Sequence, residues 1–173
     1  MSKVVADADG LIKLDKSGAL EALLSVAEVL VPEAVYEEAV VAGKREMYED
    51  AFELERVLRE GGAKVVEAEE NERAESVLEG APALGPGERA ALRVSYGSRA
   101  DAVLTDDRVF LGVLAGAGVK ALVPAAAIVL LAGRGGLSVE EAEAALGRIE
   151  GSVRREVYEA AMEELAGMRE ERG

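Results

Sequence analysis

Acidic side chains fall at the places where a predicted strand ends or where the helix after it begins. These candidate site residues are Asp7, Asp9, Glu38, Glu88, Asp106 and Asp107. The chain has no histidine and no cysteine, which excludes imidazole bases, thiolate nucleophiles and the usual ligands of zinc. Burying a carboxylate is costly unless it is protonated, paired or bound to a cation. The residues therefore point to carboxylate chemistry organised by a hard divalent cation such as Mg²⁺ or Mn²⁺, which prefers oxygen ligands.

Helical phase distinguishes the neighbouring acids Glu37 and Glu38. At about 100° per residue, Glu38 lies about 60° from Val35, on the edge of an apolar stripe, whereas Glu37 lies about 160° away. We therefore expect Glu38 to point inward and Glu37 to point to water. Glu88 shares a helix face with apolar residues such as Leu92, four positions later.

Each acid also has a purely structural explanation. Asp107 could cap the helix that follows it, and Glu38 and Glu88 stand in first turns, where acids interact favourably with the helix dipole. Helical phase does not show which of Asp106 and Asp107 points inward, because both share a face with apolar residues of the following helix. Asp7 is the hardest to explain in this way, because a buried strand seldom ends in an unpaired acid. The acids are a stronger indication as a set than singly.

The elements that must position these acids alternate between short apolar strands and amphipathic helices. The strands are predicted over residues 3–6, 28–31, 64–67, 102–105 and 119–122. The helices are predicted over 10–24 with an interruption at 16–18, and over 33–41, 48–59, 71–78, 87–96, 107–115, 138–149 and 152–168. Such alternation predicts an α/β fold with a mostly parallel sheet, in which sites lie beyond the carboxyl ends of the strands.

Composition limits the remaining classes. There are 20 Lys and Arg against 34 Asp and Glu, a net charge of −14, so no basic stripe indicates nucleic-acid binding by counterion release. The longest apolar run, 121–133, is about 13 residues long and contains Pro124, which is shorter than the roughly 20 residues of a membrane span. The first residues lack the pattern of a signal peptide. We expect a cytoplasmic protein with no membrane partner.

At these acids the sequence resembles a PIN domain, the fold of VapC-type toxins and related nucleases. VVADADGLI is similar to the family's first motif and puts Asp7 on its acid, with Asp9 where Ser or Asn is usual. LVPEAVYEEAV puts Glu38 on the second acid, and LGPGERAALRVS puts Glu88 on the third, as Glu in place of Asp. The T-x-D motif in AVLTDDRVFL selects Asp107.

The resemblance covers about residues 3–135. It implies a PIN-like three-layer α/β/α fold with a central, mostly parallel sheet. Residues 1–135 would form the nuclease domain. Residues 136–173 would form a helical extension packed on the same domain, similar to one found in a prokaryotic subgroup of the family.

The same resemblance implies a metal-dependent ribonuclease. Asp7, Glu38, Glu88 and Asp107 would hold one or two Mg²⁺ or Mn²⁺ ions, with Asp106 as a further possible ligand. Other residues could support the site or contact the RNA backbone: Asp9, Thr105, Lys13, Arg89, Arg93 and Arg108. For related toxins the family implies a homodimer silenced by an antitoxin protein, and both are expectations for this chain.

Two alternatives remain open. Asp7-x-Asp9-Gly10 copies the D-x-D-G motif of haloacid-dehalogenase-like phosphatases, in which Asp7 would be the nucleophile and Asp9 the general acid/base. That interpretation leaves Glu38 and Glu88 without a role. The other alternative is a non-catalytic PIN-like module that binds protein or RNA, which the acidic C-terminal extension would suit if the partner is a protein.

Overall fold

A five-stranded parallel sheet forms the centre of the molecule. The computed structural model describes residues 2–173. The strands are β1 (Ser2–Ala6), β2 (Ala27–Pro32), β3 (Lys64–Val66), β4 (Ala102–Leu104) and β5 (Ala121–Leu122). Their order across the sheet is β3-β2-β1-β4-β5, and all neighbouring pairs are parallel. The chain runs outward from β1 to β3 on one side and then returns to place β4 on the other side of β1.

Helices cover both faces of this sheet. They are α1 (Ala8–Ser17), α2 (Leu20–Val26), α3 (Glu33–Tyr36), α4 (Ala42–Arg45), α5 (Glu49–Glu60), α6 (Glu72–Glu79), α7 (Pro86–Ser98), α8 (Arg108–Gly116), α9 (Pro124–Gly133), α10 (Val139–Ile149) and α11 (Arg155–Arg172). A π-helical turn, Glu37–Val41, joins α3 to α4, and a 3₁₀ turn, Glu150–Ser152, precedes α11.

Two hydrophobic cores follow from the alternation of side chains along the central strand. Val4 and Ala6 belong to one core, whereas Val5 belongs to the other together with Leu30 and Val103, its register partners on both sides. Successive side chains of a strand point to opposite faces, so the sheet separates the two cores. The first core includes residues of α1, α2, α5 and α9, and the second includes residues of α6, α7 and α8. The expected three-layer α/β/α fold is confirmed.

The C-terminal helices pack on the first core. Ala142, Leu146 and Ile149 of α10 and Ala161 and Leu165 of α11 are buried in it. These two helices are therefore part of the same hydrophobic unit as the sheet.

Most predicted elements are present, with three differences. Within the helix predicted over 33–41, residues 37–41 form the π-helical turn. No element is predicted over 124–133, where α9 consists of apolar residues throughout and so carries no amphipathic period. The prediction that Ser152 begins the last helix is wrong, because Ser152 ends a 3₁₀ turn and α11 begins at Arg155. The capping box of Ser138 and Glu141 is present as predicted.

None of the helices in residues 2–173 has both the length and the apolar character that crossing a membrane requires.

Candidate active site

The acidic residues collect where the strand order reverses. Asp7 directly follows β1, and residues 105–107 directly follow β4, its neighbour. The backbone N–H of Asp7 donates to the carbonyl oxygen of Leu104 at 3.0 Å, which joins the ends of the two strands. A crevice opens at such a switch point because the helices after β1 and β4 leave toward opposite faces of the sheet.

Asp7 is held by two hydrogen bonds and is almost completely buried. Its Oδ1 accepts from the backbone N–H of Gly10 at 2.7 Å, which caps α1, and its Oδ2 accepts from the hydroxyl of Thr105. The residue is 2% exposed. Burial raises the pKa of Asp7 to about 7, although both hydrogen bonds oppose that shift, and the charges of Asp9 and Glu88 add to it.

Gly10 allows α1 to approach the sheet this closely. A Cβ at this position would lie 2.5 Å from the carbonyl oxygen of Leu104, closer than real Cβ contacts occur. The absence of a side chain therefore sets the distance between the start of α1 and the end of β4.

Thr105 joins the acids of the two strands. Its hydroxyl donates to Asp7 and accepts from the backbone N–H of Asp107 at 3.1 Å. Asp107 in turn caps α8, because its Oδ1 accepts from the backbone N–H of Phe110 at 2.8 Å. The structural explanation of Asp107 as a helix cap is thus present, and the same side chain also lines the cleft.

Glu38 and Glu88 also line the cleft. Glu38 lies in the π-helical turn, a departure from regular helix that is frequent at functional sites. Its carboxylate lies against Gly87, where a Cβ would be 2.8 Å from Oε2 of Glu38. Burial raises the pKa of Glu38, and the charges of Glu88 and Asp9 raise it further. Glu37 lies outside the cleft and pairs with Arg45 at 3.2 Å on the surface.

Lys13 lies among the acids. Its ammonium is 2.8 Å from Oδ2 of Asp106 and 3.2 Å from Oδ2 of Asp9. Burial alone would lower the pKa of Lys13, but the hydrogen bond to Asp106 and the charge of Asp9 outweigh that effect, and the pKa is raised.

Together these side chains line one cleft of about 340 Å³. Its lining consists of Asp7, Ala8, Asp9, Lys13, Glu38, Gly87, Glu88, Asp106, Asp107 and Arg108. Six of these are carboxylates, and two are basic. Every acid proposed from the sequence is present in the lining.

The other basic candidates lie elsewhere. Arg93 forms an ion pair with Glu75 of α6 at 2.5 Å. Arg89 reaches the backbone carbonyl of Ala81 at 3.4 Å. Neither residue lines the cleft, whereas Lys13 and Arg108 do.

The donor set of the cleft fits a hard divalent cation. Its ligands would be carboxylate oxygens. The raised pKa values of Asp7 and Glu38 arise from burial and from the charges of Asp9 and Glu88, and a cation would offset both effects. Among residues 2–173, no three acidic side chains lie close enough together to enclose a metal ion. The acids therefore line an open cleft, and their side chains would have to move closer together to close a coordination sphere.

Sequence reasoning missed two features of this site. Gly87 provides the space for the Glu38 carboxylate, and its signal was the glycine inside LGPGER beside Glu88. The partner of Lys13 was also missed, although the spacing of Asp9 and Lys13, four residues apart on a helix, indicated half of the pairing.

Comparison with known proteins agrees with this geometry. The family model DUF3368, described as a PIN domain, matches residues 3–166. The match therefore extends from the first strand into the last helix. The comparisons with curated proteins and with solved structures found no match.

Proposed function

The chain belongs to the PIN domain family, whose members are generally nucleases, and from this premise we propose that it is a metal-dependent endoribonuclease acting at the acidic cleft. In this reaction water adds to the phosphorus of a phosphodiester, and the bond to the 3′ oxygen breaks. The 3′ oxygen takes up a proton. The products carry a 5′-phosphate and a 3′-hydroxyl.

One observation carries the proposal. Four separate segments of the chain bring carboxylates into the same cleft: the end of β1, the π-helical turn, the start of α7 and the turn after β4. Helix capping accounts for Asp7 and Asp107 singly, but it does not account for Glu38 and Glu88 beside them. Acids placed so close together raise the electrostatic cost of one another. Such an arrangement is typical of a site that binds a cation.

The ligands in this proposal are Asp7, Glu38, Glu88 and Asp107, with Asp106 nearby. Bound Mg²⁺ or Mn²⁺ would supply a water of lowered pKa and would stabilise charge on the phosphoryl oxygens. The hydroxyl of Thr105 and the N–H of Gly10 hold the Asp7 carboxylate in one orientation. Arg108, exposed at the cleft, would contact a phosphate of the RNA.

The experiment is a cleavage assay with neighbouring glutamates as the matched pair. We expect Glu38→Gln to slow Mn²⁺-dependent cleavage of a mixed RNA substrate by roughly 100-fold or more, the order of effect for loss of a group at a reacting centre. Glu37→Gln, one residue away but paired with Arg45 outside the cleft, should retain activity within about twofold. EDTA should abolish cleavage. Equal activity of the two variants would contradict the proposal.

The same assay separates the alternatives. The phosphatase alternative uses Asp7 and Asp9, which both line the cleft, and gives Glu38 no role. A phosphatase would therefore hydrolyse p-nitrophenyl phosphate and would keep this activity in Glu38→Gln. A binding module would retain RNA affinity in EDTA and cleave neither substrate. A role as the toxin of a toxin–antitoxin pair, with an antitoxin partner and a homodimer, stays a prediction from the resemblance.

A further inference from the structure

Lys13 extends from α1 to the loop after β4 and ties the two sides of the cleft together. Its side chain is 18% exposed and that of Asp106 is 5% exposed, so this ion pair lies largely inside the protein. The second partner, Asp9, is on the same helix, one turn earlier. The Lys13–Asp106 pair is therefore weakly screened by salt and holds the ammonium in the cleft, whereas Asp9, whose side chain is 43% exposed, adds a second and more exposed contact.

We propose that the Lys13 ammonium is a built-in cation that occupies the Asp9–Asp106 side of the cleft and thereby limits the cleft to a single divalent ion. This inference rests on the proposed function, because it concerns the number of cations at the same site. It assigns Lys13 a positioning role.

Geometry excludes a second ion while Lys13 is in place. The ammonium lies within hydrogen-bond range of one oxygen of Asp9 and one oxygen of Asp106, and therefore between them. A divalent ion held by Asp9 and Asp106 would compete with the Lys13 ammonium for the same carboxylate oxygens. Repulsion between the ammonium and a second divalent ion would add to this competition.

The charges in the cleft also indicate a single divalent ion. Asp9 and Asp106 already share the positive charge of Lys13. Within residues 2–173, no lysine or arginine forms an ion pair with the other four carboxylates of the cleft, which are Asp7, Glu38, Glu88 and Asp107. Those four carboxylates are the part of the cleft that has no internal counter-ion. One divalent ion among them offsets half of their charge, and the phosphate of a substrate completes the set of ligands.

A purely structural tether makes a different prediction. If Lys13 only joined α1 to the loop after β4, its removal would lower stability and leave the number of bound ions unchanged. If Lys13 excludes a second ion, its removal frees Asp9 and Asp106 to bind one.

The experiment counts ions on the full chain. Mn²⁺ is titrated into the unaltered protein and into Lys13→Met, Lys13→Arg and Lys16→Met, and free Mn²⁺ is followed by electron paramagnetic resonance. Methionine keeps the length of the lysine side chain without its charge, arginine keeps the charge, and exposed Lys16 on the same helix is the matched control. Circular dichroism checks that each variant is folded, and RNA cleavage is measured in parallel.

We expect one Mn²⁺ per chain for the unaltered protein, for Lys13→Arg and for Lys16→Met, and two for Lys13→Met. Two ions in the unaltered protein, or one ion in folded Lys13→Met, would overturn the inference and leave the proposed function standing if cleavage persists. If the unaltered protein binds no Mn²⁺ and cleaves no RNA, both fail. If Lys13→Met does not fold, Lys13→Gln replaces it, with the same expected count of two.

Discussion

Asp7 is a residue of the proposed metal site whose burial lowers the stability of the folded protein at neutral pH. It is buried at the end of the central strand, and burial raises its pKa to about 7 from an ordinary value of 3.8. The folded protein therefore holds a proton on Asp7 between these two pH values, where the unfolded chain has lost it. The proposed role as a metal ligand accounts for this cost, because a neutral cap such as Asn would satisfy the N–H of Gly10 without a buried carboxylate.

The pH dependence of stability follows from that shift. Because the folded pKa is the higher one, the contribution of Asp7 becomes less favourable as pH rises from about 4 to about 7, and its full penalty is present above pH 7. Without divalent ions, we expect Asp7→Asn to be more stable than the unaltered protein at pH 8, by up to about 4 kcal/mol. The difference should vanish near pH 4.

Urea denaturation at pH 4, 6 and 8 measures this. Burial also raises the pKa of Glu38 and raises that of Asp15 to about 6, so the total pH dependence contains their contributions in the same direction. The difference between variant and unaltered protein isolates Asp7. A variant that is less stable than the unaltered protein at pH 8 would show that the carboxylate is not destabilising.

At the residue scale, the sequence predicted the acids well and their partners poorly. Phase separated Glu38 from Glu37 because both stand on one helix, whose period is known. The bond between Thr105 and Asp7 and the pair of Lys13 with Asp106 join residues more than ninety positions apart. Such contacts depend on how β1 and β4 are placed in the sheet, which local sequence does not contain.

At the scale of elements, α7 packs on α3, and its first turn comes close to the carboxylate of Glu38 in the π-helical turn that follows α3. The carboxylate occupies the space left by the missing side chain of Gly87. A Cβ there would meet the flexible end of a glutamate, so the carboxylate would move and the backbone would not. Gly87→Ala should therefore leave the fold intact and displace a proposed ligand.

A second glycine of the same helix is the control. A Cβ at Gly97 would meet nothing within 4 Å, so Gly97→Ala should stabilise the protein by about 0.5–1 kcal/mol through helix propensity alone. Cleavage should be unchanged in Gly97→Ala and reduced at least tenfold in Gly87→Ala, with both variants as stable as the unaltered protein or more so. Urea denaturation and the RNA assay measure the two effects. Full activity of Gly87→Ala would mean that this space has no role in placing Glu38.

Three elements show where sequence patterns stop being informative. α9 was missed because a helix that consists of apolar residues throughout has no polar face and hence no amphipathic period. The π-helical turn was predicted as ordinary helix, because one additional residue in a turn leaves the local composition unchanged. The start of α11 was misplaced because Ser152 looks like a cap, whereas Arg154 precedes the helix without a side-chain cap.

At the scale of the whole molecule, the C-terminal helices complete the core beneath the site. α10 packs on α1, and Arg148 of α10 donates to the backbone carbonyl of Ser17 at the end of α1 at 2.8 Å. α1 is capped by Asp7 and carries Asp9 and Lys13 on its first two turns. Although α10 carries no motif, it thus supports α1, which contributes Ala8, Asp9 and Lys13 to the cleft.

Leu146 tests whether α10 stabilises the whole fold. Its side chain is fully buried in the first core, so Leu146→Ala should lower the free energy of unfolding by about 2–5 kcal/mol through lost burial and a cavity. Leu130 on α9 is 42% exposed, and Leu130→Ala should cost about 1 kcal/mol or less. If the C-terminal helices are part of one cooperative unit, urea denaturation of Leu146→Ala shows a single transition at lower urea with an unchanged slope. A second, separate transition would instead mean that α10 and α11 unfold apart from the sheet, and the support they give to α1 would then be dispensable for the cleft.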